Sequence, residues 1–456
     1  LGNEPLTLLL GGEVDRKLTL RPQPANASGV LHRQLLEAWW GNYVAAAKRS
    51  IAGDDSPDLL HKYLVKMLAD RLGFPSVDLD PPDPEKADEK NQPLETLALL
   101  AAIEPLREQI LENVINYPGS SSDADLPVPP EPLWGASVLP AGVDPPVVES
   151  LATHVPAECF YLRFGSFANY VWFQEIAQRY GGEISQAVVL RGFNYEASAR
   201  MERMLGTKLT AVAKMFGDKL IDDMAIIGSD LYMKEGASLG VLFQASNPGL
   251  LAGNMDSDRR ALLSNNADAS VQKVRIADRD VSLLSTPDNR IRSFYLADGK
   301  FLFLTTSETL MRRYIEVAEG QPSLADMPEF QWARTWMPEA NQYSVFGYFS
   351  NDFFHRLVSP QYQIELRRRL EAIAHLEIAA VASQVALAEG IAPDSTHALQ
   401  SAGLLPAWFD DRADGARVLR DGDRWIDSLR GARGSFLPTA VVPVEQVTER
   451  EAAAYT

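Results

Sequence analysis

The string Gly236-Ala237-Ser238-Leu239-Gly240 has the G-x-S-x-G spacing of a nucleophile elbow, the arrangement that exposes a serine hydroxyl for acyl transfer. An elbow needs a strand before the serine and a helix directly after it, so that the hydroxyl sits at a strained turn facing an oxyanion hole. Here Lys234-Glu235 precede the string and Val241-Leu242-Phe243-Gln244 come after it, a strand pattern. A glycine-rich bend or bulge between antiparallel strands accounts for both glycines. Serine hydrolysis through Ser238 therefore stands as the alternative, with Asp288 and His355 or His375 following in hydrolase order.

The remaining chemistry-bearing residues are scattered. His32, His61, His154, His355, His375 and His397 never fall three or four apart, so no helical two-histidine metal pair is expected. His375 follows Glu371 by four residues, the spacing of an ion pair or a capped core histidine as much as of a general base. Carboxylates pair at Asp222-Asp223, Asp256 and Asp258, Asp410-Asp411, and Asp421 and Asp423. Adjacent exposed carboxyls lack the two unlike environments that acid–base work requires, and Asp421-Gly422-Asp423 reads as a turn. Cys159, the single cysteine, lies in the apolar run Ala157 to Leu162, where a buried inert thiol is expected. Neither G-x-x-x-x-G-K-[ST] nor G-x-G-x-x-G occurs. No catalytic, cofactor-binding or metal-binding residue is assigned.

Aromatic residues crowd one region: Trp332 and Trp336 one helical turn apart, then Tyr343, Phe346, Tyr348, Phe349, Phe353 and Phe354. Core packing explains such a cluster. An apolar groove between strand and helix, lined by Trp332, Trp336, Phe346 and Tyr348 and holding an apolar ligand or a protein partner, would show the same pattern.

The 456 residues exceed what one hydrophobic core usually holds. With 46% hydrophobic and 23% charged residues the composition is that of a folded globular chain. Its 43 basic against 61 acidic side chains, a net charge of −18, repel phosphate backbones, so nucleic acid is not an expected partner. Arg367-Arg368-Arg369 reads as a solvated helix face. The longest unbroken apolar run noted, Leu97 to Ile103, is of core-helix length, and no transmembrane segment is expected.

The elements that must position these residues fall in sequence blocks. Residues 1–117 read as a hairpin around Gly11-Gly12 followed by helices at Leu31 to Ile51, Asp58 to Leu72 and Pro93 to Ile115. Eight prolines make 118–150 a linker, with Trp134 expected to dock on a neighbour. Residues 151–350 read as a βαβα opening (strand Cys159 to Phe164, helix Phe167 to Tyr180, strand Gln186 to Arg191, helix Tyr195 to Leu205). Short strands too close for parallel crossovers come next, from Ala225 to Thr305. Asp298-Gly299 marks a hairpin turn. Ser307 caps a helix from Glu308 to Ala318, Pro328 opens another, and a strand Tyr343 to Phe349 returns to the sheet. A long helix fills 351–391 from Ser359-Pro360 to Gly390. Residues 392–456 read as an irregular surface wrap, ending in a capping box at Thr448 and Glu451. The expected fold class is α+β: a helical N-terminal unit, then a mainly antiparallel sheet packed with helices. The absence of an initial methionine and the short final helix lead to the expectation of a piece of a longer protein.

The stretch Tyr295-Leu296-Ala297-Asp298-Gly299-Lys300-Phe301-Leu302-Phe303-Leu304-Thr305-Thr306-Ser307-Glu308-Thr309-Leu310, then Ser323-Leu324-Ala325-Asp326-Met327-Pro328-Glu329-Phe330, resembles a pattern in a family of exported bacterial proteins known only as a domain of unknown function. Asp427-Ser428-Leu429-Arg430-Gly431-Ala432-Arg433-Gly434-Ser435-Phe436-Leu437-Pro438 is similar to a string further along the chain in the larger members of that family. The resemblance spans about residues 154–456. It implies a periplasmic, envelope or extracellular location and no known activity. The resulting expectation is a non-catalytic extracytoplasmic scaffold or binding module.

Overall fold

A computed structural model describes residues 6–10, 16–20, 28–52, 59–75, 77, 125–135, 146–175, 201–206, 220–230, 236–338 and 343–455. They fall in two compact units, 1–89 and 90–456. The helix expected at Pro93 to Ile115 and the strand at Gln186 to Arg191 lie outside the described residues.

In the first unit, β1 (Leu6–Leu10) and β2 (Arg16–Leu20) form an antiparallel hairpin. Helices α1 (Ser28–Ala52) and α2 (Leu59–Leu72) bury Trp40, Ala47, Val65 and Ala69 between them. Gly73, in the left-handed region, stops α2, and Phe74 then stacks on Trp40.

The second unit is α+β. Its eight strands lie in the order β11-β4-β5-β6-β10-β9-β8-β7, every neighbouring pair antiparallel. The strands are β4 (Phe160–Arg163), β5 (Ile221–Gly228), β6 (Leu239–Ala245), β7 (Ser270–Ile276), β8 (Arg279–Ser285), β9 (Arg292–Asp298), β10 (Phe301–Thr305) and β11 (Phe346–Phe349).

Central strands are buried on both faces, which explains their unbroken apolar runs. Met224, Ile226, Val241, Phe243, Leu302 and Leu304 point to one core, with α3 (Pro248–Asn265). Ala225, Ile227, Leu242, Phe301 and Phe303 point to the other, against α4 (Glu308–Ala318) and α5 (Pro328–Trp336). Each of these residues alternates with its neighbour as the period of two demands. A sheet covered on both sides lacks the polar face that alternation usually reveals.

Helix starts obey the expected chemistry. Asn247, Ser307, Ser350 and Ser359 each accept a backbone N–H in the first turn of α3, α4, α6 (Asn351–Leu357) and α7 (Pro360–Ala388). Ser166 does the same for the helical turns at 167–175. Gly390 follows α7 with positive φ.

Two hairpin turns differ in quality. Asp298 pairs with Phe301, so the central residues of that turn are Gly299-Lys300 rather than Asp298-Gly299, and Gly299 alone takes positive φ. Between β7 and β8 both central residues, Ala277 and Asp278, take positive φ, the demand of a type I′ turn. Alanine is a poor residue there. Ala277→Asn is expected to raise stability by about 0.5–1 kcal/mol, read from the urea midpoint at unchanged slope.

Three expectations need correction. The break placed at 118–150 falls inside the second unit. There β3 (Leu126–Pro127) pairs with β15 (Gln446–Val447), and Val128 packs on Ile364, Val444 and Val447. The stretch 392–456 is no surface wrap. It forms α8 (Thr396–Ser401), a small sheet of β12 (Val418–Asp421), β13 (Arg424–Asp427) and β14 (Gly431–Ala432), and α9 (Glu449–Tyr455), opened by the Thr448–Glu451 capping box. Hairpin formation puts Gly422-Asp423 at the β12–β13 turn. Finally, α7 is long and apolar enough to cross a membrane by length and composition, contrary to the expectation of no such segment. It nevertheless buries Glu365, Arg368, Arg369 and His375 inside the unit, as a core helix does.

Candidate functional site

Ser238 lies at the entry to β6, with a strand and not a helix after it. The side chain is fully buried and its Oγ has no hydrogen-bond partner, while its N–H donates to Asp230 Oδ2 at 3.0 Å. Gly236 takes positive φ and lies against the C-terminal segment: a Cβ there would come within 2.7 Å of the Leu437 carbonyl oxygen and nearer that of Phe436. At Gly240 a Cβ would meet the Phe303 ring at 2.5 Å. Both glycines permit close packing. Asp288 is engaged elsewhere: Thr286 Oγ1 donates to it at 2.7 Å, and Arg290 and Arg424 pair with it at 3.1 and 3.0 Å. Partial burial works against ionisation, but those hydrogen bonds outweigh it and hold the carboxyl near about 2. His375 is buried in α7 against the edge of Phe409, and His355 lies on α6. The structure does not assemble a triad on Ser238.

The four aromatic residues do not line one groove. Phe346 and Tyr348 share a face of β11 and pack into the second core, Tyr348 edge-on to Phe330 at 5.0 Å. Helix α5 turns Phe330 and Arg334, four residues apart, to that strand. Trp332 and Trp336 then fall about 200° round the helix axis, 38% and 72% exposed, and meet each other edge to face. Buried Arg334 fills the place between: its guanidinium lies 3.6 Å from the Phe346 ring centroid, pairs with Glu149 and donates to the Met337 carbonyl. A cation in an aromatic cage leaves no signature in hydrophobic spacing.

Other candidates have structural places. Burial drives the Cys159 thiol well above its ordinary value, with Glu158 adding to the effect, so it is no thiolate nucleophile. Asp223 accepts from Arg163 Nε at 2.6 Å; burial outweighs that partner and pushes the carboxyl up to about 6. Thr396 Oγ1 donates to Asp410. Among the described residues no three His, Cys, Asp or Glu side chains are grouped to hold a metal ion.

What the second unit does present is a cleft of about 440 Å³. One wall is the 125–135 segment, giving Glu131 and Trp134. Opposite are Glu158 before β4 and Ser229 and Asp230 after β5. Helix α6 contributes Asp352, His355 and Arg356, and the start of α7 contributes Ser359, Gln361 and Tyr362.

The walls are tied down. Gln361 Nε2 donates to the Val442 carbonyl at 3.4 Å, its Oε1 accepts from Val444 N at 3.2 Å, and Tyr455 Oη donates to the Val358 carbonyl at 2.9 Å. Trp134 stacks on the His355 ring, centroids 4.1 Å apart and planes at 13°, yet stays 47% exposed. Asp352 Oδ1 lies 3.7 Å from His355 Nδ1, too long for a hydrogen bond. Glu158 pairs with Arg313 at 2.7 Å.

Five segments build this cleft from ordinary polar residues, so no local motif announces it. Trp134, a large aromatic in a proline-rich stretch, was the one visible signal. Compared with models of known protein families, with curated proteins and with solved structures, the chain matches none.

Proposed function

We propose that this chain is a non-catalytic binding module of a bacterial cell envelope or extracellular protein, with the Trp134-rimmed cleft as its ligand site. One observation carries the reading: a cleft within the size range of small-molecule sites, with walls fixed by hydrogen bonds and an exposed indole held flat at its rim. Preorganisation of that kind favours binding, because little freedom is lost when a ligand enters. The extracytoplasmic location is supported by the resemblance of residues 154–456 to exported bacterial proteins. The apolar-carrier alternative has weaker support, since Phe346 and Tyr348 are core residues and Arg334 occupies the space beside them.

Treatment with a fluorophosphonate probe separates this reading from serine hydrolysis. No labelling is expected, because the Ser238 hydroxyl is fully buried. Stoichiometric modification at Ser238, found by peptide mass mapping, would overturn it.

A further inference from the structure

We infer that the cleft takes a small organic cation, an amine or quaternary ammonium; this rests on the binding-module reading. The cleft's charge has one sign in excess. Among the described residues, Glu131, Glu158, Asp230 and Asp352 line it, against the guanidinium of Arg356. Arg313 balances Glu158, and Asp230 is buried and accepts from the Ser238 N–H, which leaves Glu131 and Asp352 as the solvent-accessible carboxylates, with Asp352 beyond hydrogen-bond distance from His355.

The second, independent feature is the indole. Trp134 is backed on one side by the His355 ring and is half exposed. A π-face beside carboxylates attracts a cation by its quadrupole and the carboxylates by their charge. An anion would meet repulsion from both. The net charge of −18 adds long-range attraction for a cation approaching the mouth. A volume of about 440 Å³ sets the scale at a small molecule and excludes a folded partner from the interior.

The test is isothermal titration of the whole chain with choline, agmatine and spermidine, alongside glucose and inorganic phosphate, at two salt concentrations. At least one cation is expected to bind, more weakly at high salt. Trp134→Ala and the double variant Glu131→Gln/Asp352→Asn are each expected to weaken it by about tenfold or more. All three side chains lie at the rim, and an unchanged melting temperature verifies that the variants fold.

Glucose or phosphate binding in place of the cations, abolished by Trp134→Ala, would overturn the cation assignment and leave the binding module standing. Cation binding indifferent to both variants would overturn the assignment of this cleft. Silence from every probe would overturn the inference, whereas the binding-module reading fails separately on Ser238 labelling.

Discussion

Arg430→Ala is expected to destabilise the second unit by about 3–5 kcal/mol, the cost of leaving buried charges without their partner. The Arg430 side chain is fully buried. Its Nε and Nη2 donate to the two Glu365 carboxylate oxygens at 3.0 and 2.8 Å, and Nη1 lies 2.7 Å from Asp414 Oδ2. Asp427 is 3.5 Å away and is also held by Arg412 at 2.5 Å. Arg412 reaches Asp414 at 3.1 Å, and Arg369 reaches Glu365 at 2.8 Å.

Three arginines and three carboxylates thus share one buried cluster that ties α7 to the C-terminal strands. Removing one guanidinium leaves an excess of negative charge in a medium that solvates it poorly. Arg430→Lys should be intermediate, since an ammonium cannot reproduce the two-pronged bond to Glu365. The half-exposed Arg433, paired with Glu377, is the control, and Arg433→Ala should change stability by less than about 1 kcal/mol. Urea unfolding reads all three. Because total stability is typically about 5–15 kcal/mol, Arg430→Ala should show a large fall in midpoint; a change no larger than that of Arg433→Ala would show that the cluster does not hold the segment.

This cluster also marks where sequence reading stops. Secondary elements with local causes were legible: Ser307 and Ser359 as caps, Pro328 and Pro360 as first helical residues, Gly390 as a stop, and strands too close for parallel crossovers. Tertiary charge pairing was not. Arg367-Arg368-Arg369 had the look of a solvated face, yet Arg368 and Arg369 are buried, because Glu451 and Glu365 meet them from positions 83 residues later and four residues earlier. The stretch after residue 391 read as irregular for a related reason: its strands are only two to four residues long and are held to α7 by contacts between distant residues, Arg430 with Glu365 and Trp425 Nε1 donating to Ser383. In the cleft, Trp134 was visible as an anomaly, but the segment carrying Glu131 and Trp134 meets Asp352 and His355 of α6 only through the fold. At Trp332 and Trp336 the helical spacing was right and the face was wrong, since Phe330 and Arg334 have the same spacing and Arg334 is the one that finds a buried carboxylate.

Acid is expected to act on stability through His375. Burial, reinforced by the Arg412 charge, lowers the imidazole to about 3, and its Nδ1 lies 2.8 Å from the Glu371 carbonyl oxygen, which fixes a neutral ring with the proton on Nδ1. Charges facing it from other elements are Arg412, Asp414 and Asp427. Below about pH 6.5 the unfolded chain takes a proton on this group that the folded chain refuses until about pH 3, so the contribution is whole above pH 6.5 and is lost as pH falls. At about 1.4 kcal/mol per pH unit, the loss by pH 4.5 is roughly 3 kcal/mol. Asp223 works in the opposite direction. Its folded value of about 6 lies above the ordinary carboxyl value, so the folded chain takes that proton first and gains stability as pH falls from about 6 toward 4. Glu371, raised by burial, adds in the same sense. The wild-type profile between pH 6 and 4 is therefore expected to be flatter than either group alone would give, and the two variants separate them. His375→Gln removes the acid-labile part: whatever it costs at pH 7, the difference from wild type should move in its favour by roughly 3 kcal/mol at pH 4.5. Asp223→Asn should do the reverse and steepen the acid loss. Urea midpoints at the two pH values decide it, and parallel profiles for wild type and His375→Gln would show that His375 does not carry the acid response.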